Sequence, residues 1–295
     1  LLGGWLYSRV RQVANLHFVL YDWVVEFGSG PSIASLFVMT QPPENHPRLI
    51  GIRTKTARAQ EHGQALHGLI REFIKSHPPR VSYEYRKQPG EHVWKLTSEP
   101  PTIPLDINAL IGDMLYNYRS ALDHAIWQLV ISNDRVPSRV NQFPIFDDER
   151  VYRNRRRQYL SGLSAGAIVA IDSLQPCNGG SEGLSFLNEL GNIDKHRHLP
   201  VVFVNLAQIN LVDPPIEVGP GETINIKMHT GTLERGTEFL IVSCPEMELD
   251  FEPTFGIAFG EGTPVENTNV LDVFRSIDEA VQNSLDVLTS HLTRG

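Results

Sequence analysis

The sequence predicts an α+β fold: a long-helix antiparallel bundle carrying a β-hairpin after its first helix and an inserted antiparallel β-sheet element before its last. Three observations carry that expectation. Apolar residues recur at helical spacing through most of the chain before residue 200, they give way between 200 and 268 to short β-branched alternating runs, and helical spacing returns after Asn269.

The opening residues 1–45 read as an N-terminal extension without a fixed fold, with Met39 as the expected natural start. A signal peptide is not expected, because Arg9 and Arg11 interrupt the apolar run and Asp22 and Glu26 follow it. From Thr54 to Lys75 the residues Ala57, His62, Leu66, Leu69, Ile70 and Phe73 have helical spacing, which "SHPPR" ends with two prolines. "RVSYEYRKQPGEHVWKLT" alternates through Val81, Tyr83 and Tyr85, turns at Pro89-Gly90 and resumes through Val93 and Leu96, the pattern of a hairpin. After the connector "SEPPTIP" a helix is expected from about Leu105 to Ser132, its apolar face running through Ile107, Leu110, Ile111, Met114, Leu115, Tyr118, Leu122, Ala125 and Leu129. "NQFPIF" reads as a loop, followed by helical stretches in "DDERVYRNRRRQYLSGLS", in "AGAIVAIDSLQP", and from Ser181 through "NELGNIDKHRHL" to Pro200.

Beyond Pro200 the runs "VVFVNLAQINLV", "PIEVG", "TINIKMH", "TEFLIVSC" and "FGIAFG" read as about five strands. Val273, Ile277, Val281, Leu285 and Leu288 then mark a closing helix. The expected organisation is an extension over 1–45, a bundle with its hairpin over 46–199, a β-rich element over 200–268, and a helix over 269–295 that packs back on the bundle.

Composition narrows the function classes. The chain has 295 residues, 41% hydrophobic and 20% charged, which is ordinary for a folded globular protein. Cys177 and Cys244 lie far apart with no CxxC, which argues against a disulfide framework or a thiolate zinc site and suits a reducing cytoplasm, the expected location. No run of about 18 apolar residues occurs, so no membrane partner is expected. The formal charge is −8, yet the residues before 200 hold 22 basic against 19 acidic side chains, so charge leaves an RNA partner open.

Two polar constellations stand out. Asp113, Asn117, Ser120 and His124 step by four, three and four along the long helix and form one stripe, with Arg119 and Asp123 paired beside it at i,i+4. In "NELGNIDKHRHL", Glu189, Asn192 and His196 share one line, and Asn188, Asn192 and Lys195 the next. Asp194 and Arg197 complete the second motif, whose basic trio Lys195, His196 and Arg197 suits a helix C-terminus. The two stripes are expected to face each other across a cleft. Asp113, Ser120, Asn188, Asn192, Asp194, Lys195, His196 and Arg197 would then be its binding residues.

The pair "IGDMLYNYRSALDHAIWQLV" and "LSFLNELGNIDKHRHL" resembles a family of uncharacterised proteins common in actinobacteria and their phages, over roughly residues 50–295. More distantly, "RSALDH" resembles the R-x4-6-H pattern of HEPN domains, all-helical modules whose active members are metal-independent ribonucleases. That resemblance implies a homodimer. It also implies catalytic roles for four residues: His124 as base toward a ribose 2′-hydroxyl, Arg119 on the phosphate, and Asn117 and Asp123 as orienting groups. The leading expectation is a HEPN-like module that binds RNA, a nucleotide, or a protein partner through the β element, with ribonuclease action as the alternative. "RNRRRQ" would contact RNA phosphates. A metal hydrolase using Asp113, His124, Glu189, Asp194 and His196 is a weaker third reading, since no HExxH pair occurs there; no metal or cofactor is expected.

Overall fold

A computed structural model describes residues 5–9, 47–205, 224–244 and 253–292. Helices α1 (Ile50–Ser76) and α2 (Leu105–Ser132) pack antiparallel along their lengths. Their direction is pinned by three contacts that ascend α1 as they descend α2: Arg48, just before α1, to Ser132, Gly51 to His124, and Lys55 to Asn117. The limits of α2 coincide with those expected. Pro104, itself extended, stands at the cap position before the helix, and Ile107, Ile111, Met114, Leu115, Tyr118 and Leu122 bury one face.

The shorter helices are set by their caps. Asp148 accepts from the backbone N–H of Arg150 and Val151 to start α3 (Glu149–Tyr159), Ser164 from Ala167 to start α4 (Ala165–Leu174), and Ser181 from Gly183 to start α5 (Glu182–Asp194). Asn269 does the same for α6 (Val270–Ser290), which packs against α5 and α2 as expected. One expectation needs correction: α5 does not continue to Pro200. It ends at Asp194, where the N–H of Lys195 turns back to Gly191 O and those of His196 and Arg197 to Ile193 O. Gly191 and Asn192, both weak helix formers, occupy that last turn.

The β region is one antiparallel sheet and a separate strand pair. In the sheet, β1 (Trp5–Arg9), β2 (Val81–Arg86), β3 (Glu91–Leu96), β5 (Asn225–His229) and β6 (Glu238–Ser243) take the order β1-β5-β6-β3-β2. β4 (Val201–Asn205) pairs with β7 (Phe255–Phe259). The expected hairpin forms, but it belongs with the later strands, since Glu91 to Trp94 pair with Ser243 to Leu240. Strand pairing therefore crosses the boundary expected at residue 200. The physical reason is that a lone two-stranded hairpin is marginal, and a third strand satisfies the free edge of β3. Four of the five expected strand runs carry strands; "PIEVG" lies outside the described residues, as does the expected extension apart from residues 5–9. Among the described residues no helix is long and apolar enough to cross a membrane.

Three helices meet at a buried polar contact. Tyr118, fully buried on α2, donates its hydroxyl to Asp278 Oδ1 on α6 at 2.6 Å, and Asp278 also bonds with Gln282 and with Gln60 of α1. Burial pushes the Asp278 carboxyl above the usual range, against hydrogen bonds that favour its charged form. Close packing of α5 on α6 depends on Gly183, where a Cβ would lie 2.2 Å from Ser276 O.

Two outcomes follow. Gly183→Ala is expected to cost about 1–3 kcal/mol in urea unfolding, because the helices must separate to admit the methyl group; an unchanged midpoint would contradict this packing. Asp278 has a folded-state pKa above its unfolded value near 4, so its stabilising contribution is present at low pH and lost as pH rises through the folded value. The stability of Asp278→Asn should thus fall less than that of the wild type between about pH 4 and 7, and parallel pH profiles would refute the assignment.

Candidate functional site

Each residue of an α-helix turns by about 100°, and this divides the polar residues of α2 between two edges. On the α1 edge, Asn117 is only 9% exposed; its Nδ2 donates back to Asp113 O at 2.8 Å and its Oδ1 accepts from Lys55 Nζ at 3.4 Å. The Lys55 ammonium also sits 5.0 Å from the centre of the Tyr116 ring. His124 is exposed and its ring lies over Gly51, so close that a Cβ there would be 2.5 Å from Nδ1. Ser120 is half-exposed and Asp113 exposed along the same seam.

On the other edge Arg119 and Asp123 hold a loop. Arg119 Nη2 donates to Phe143 O at 2.5 Å, Asp123 Oδ1 accepts from Phe143 N at 2.8 Å, and the two side chains lie 3.5 Å apart. Phe143 is fully buried, so one carboxylate and one guanidinium satisfy both backbone groups of a core residue that lies outside any helix or strand. Burial raises the Asp123 carboxyl, opposed by the Arg119 charge, the Phe143 N–H and the charge of His124. Arg119 Nη1 is buried and has no hydrogen-bond partner.

The four residues expected to act together in catalysis are therefore divided. Arg119 and Asp123 are directed to the Phe143 loop, and Asn117 and His124 to α1.

The polar residues of the second motif meet α2 at one corner, and Leu199 at its end accepts from Asn108 Nδ2 of α2 at 3.1 Å. Asp194 packs over Gly112, where a Cβ would lie 2.6 Å from Oδ2. Burial raises its carboxyl, with His198 pulling it down and Asp113 pushing it up, so these three charges are neighbours. His124 lies eleven residues from Asp113, about 16 Å along the helix, and next to Gly51 instead. The cleft expected between two full stripes is thus reduced to the Asp113–Asp194 corner, because α1 occupies the rest of the seam. Lys195, His196 and Arg197 are exposed past the end of α5: Lys195 reaches Asn192 Oδ1 at 3.3 Å and Arg197 reaches Gly262 O at 3.4 Å. Glu189 and Asn192 are exposed, and Asn188 is half-buried nearly two turns before the corner. Among the described residues no three His, Cys, Asp or Glu side chains come together as a metal site, so the five candidate ligands do not converge.

One feature is not signalled by any motif. A cavity of about 450 Å³ opens beside the corner, lined by residues including Pro100, Asn108, His198, Phe203, Thr232 and Leu233. It draws on separated segments, and only the prolines of "SEPPTIP" and "RHLP" hint at rigid walls there. The run "RNRRRQ" forms part of a cluster of arginines around α3. Arg150, Arg153, Arg155 and Arg157 are exposed, whereas Arg156 turns inward to Asp172. Arg135 and Arg139 join them, because Asn133 donates to Gly162 O and Asn141 to the carbonyls of Tyr159 and Ser161, tying their loop to the end of α3.

Truncation separates these roles. Arg119→Ala leaves the Phe143 carbonyl and the Asp123 charge without their partner and is expected to cost about 2 kcal/mol or more in urea unfolding. His124→Ala should stay within about 0.5 kcal/mol of wild type. Equal costs for the two would contradict the division of α2 into two edges.

Compared with models of known families, with curated proteins and with solved structures, the chain matches none.

Proposed function

We propose that the protein is a non-catalytic RNA-binding module that holds phosphates through the arginines around α3. One observation carries this reading: Arg135, Arg139, Arg150, Arg155 and Arg157 are all exposed, and none forms an ion pair among the described residues, where Arg153 and Arg156 have Glu149 and Asp172. Arg150, Arg153 and Arg157 are spaced by three and four and share one face of α3, so they can follow consecutive phosphates. Arginine suits this task because its fork of N–H donors matches phosphate oxygens. The remainder of an acidic chain repels a polyanion, which confines contact to this patch and makes it steeply salt-dependent.

The HEPN-like reading rests on "RSALDH" and its partner motif, and the observed contacts favour its binding form over its ribonuclease form. Arg119, the group needed on the phosphate, is engaged with Phe143 O, and His124 lies against α1.

Fluorescence anisotropy with a short single-stranded RNA tests the proposal. Five phosphate contacts give a log–log salt slope of about −3.5, or about a hundredfold loss of affinity between roughly 50 and 200 mM salt. Replacing Arg150, Arg155 and Arg157, three of those five, with alanine should reduce that slope by about 2. Binding that ignores salt or the triple substitution overturns the reading, and RNA cleavage in EDTA that His124→Ala abolishes would favour the ribonuclease instead.

A further inference from the structure

We propose that the cavity beside the Asp113–Asp194 corner binds a small organic amine, its apolar body between the cavity walls and its ammonium group at the Asp194 carboxylate. At about 450 Å³ the cavity is of the size that takes a small molecule and far larger than a single water needs. Pro100, Pro101 and Pro200 stiffen its walls, and the buried side chains of Phe203 and Leu233 give it apolar surface. Phe203 is fixed in turn by stacking on Phe255, with ring centres 5.5 Å apart. Such a lining suits a hydrocarbon body, since ordered water requires two to four polar partners.

The polar groups at this place lack donors. Asp194 is half-buried, yet among the described residues its carboxylate has neither a hydrogen bond nor an ion pair. It lies over Gly112, and Asn108, which lines the cavity, precedes Gly112 by one helical turn, about 6 Å, on the same side of α2. Asn108 Nδ2 donates to Leu199 O, which fixes the amide so that Oδ1 is its free acceptor, and that atom is buried without a partner. A partly desolvated carboxylate and an unpaired amide oxygen call for N–H donors and positive charge. Asp113 adds a second negative charge, and His198, on the cavity wall, adds at most one positive charge, so the corner stays negative. Charge therefore selects an amine and rejects a carboxylate or phosphate of the same shape. The separation of about one helical turn between cavity and carboxylate matches a short link between an aromatic ring and its nitrogen.

Titration of the full chain with 2-phenylethylamine, followed by ligand-observed NMR, tests the proposal independently of RNA binding. The amine is expected to bind with a dissociation constant of about 1 mM, as suits so small a ligand. 2-Phenylethanol, the same body without the charge, should bind about fivefold more weakly, and phenylacetate should not bind. Asp194→Asn should lower the affinity for the amine to that for the alcohol and leave the alcohol unchanged. Thr232→Trp, at an exposed position of the lining, should fill the cavity and abolish binding of both, while circular dichroism stays that of wild type. A wild type that does not bind the amine, equal affinity for the amine and phenylacetate, amine binding that Asp194→Asn leaves unchanged, or binding that survives Thr232→Trp would overturn it.

Discussion

Phe143 lies in the fully buried core, yet its backbone belongs to neither helix nor strand, so its N–H and C=O need side-chain partners. Leaving either unmet costs about 1–3 kcal/mol. Asp123 and Arg119, one turn apart on α2, supply one partner each. The loop held in this way leads directly into α3, and its Phe146 carbonyl accepts from Cys177 N beyond α4. The position of the arginine-bearing helix relative to the bundle thus depends on two charged side chains of α2.

This anchoring accounts for the polar character of a core helix. A helix packed on two sides has two boundaries between core and solvent, and α2 places polar groups at both. At one boundary Asn117 and Lys55 join α1 to α2; at the other Arg119 and Asp123 join α2 to the loop. Asp194, desolvated over Gly112, fills a third junction at the end of α5. These groups are held by packing and hydrogen bonds, whereas Arg150, Arg153, Arg155 and Arg157 of α3 face solvent.

Local features were legible in the sequence wherever a local rule fixes them. Apolar periodicity and Pro104 bound α2, and Ser181 and Asn269 mark the starts of α5 and α6. α1 begins four residues earlier than periodicity suggests, because the turn Pro47–Leu49 leads straight into it. The joining of β3 to β6 was not legible, since it pairs segments about 150 residues apart with no shared local signal. The Phe143 clasp was hidden for the same reason. The R-x4-6-H spacing recurs at Arg71 to His77 and Arg86 to His92, where Arg86 pairs with Glu238 and His92 is buried against Tyr83 Oη. Spacing alone therefore cannot distinguish a catalytic pair from a structural one.

The central claim is that Arg119 and Asp123 serve the fold by capping Phe143, and amide hydrogen exchange at that single residue tests it most directly. If Asp123 holds the Phe143 N–H, exchange at this amide is as slow as in the core of α2 and accelerates when Asp123 is replaced by alanine. Exchange at the rate of an exposed loop in the wild-type protein would contradict the account.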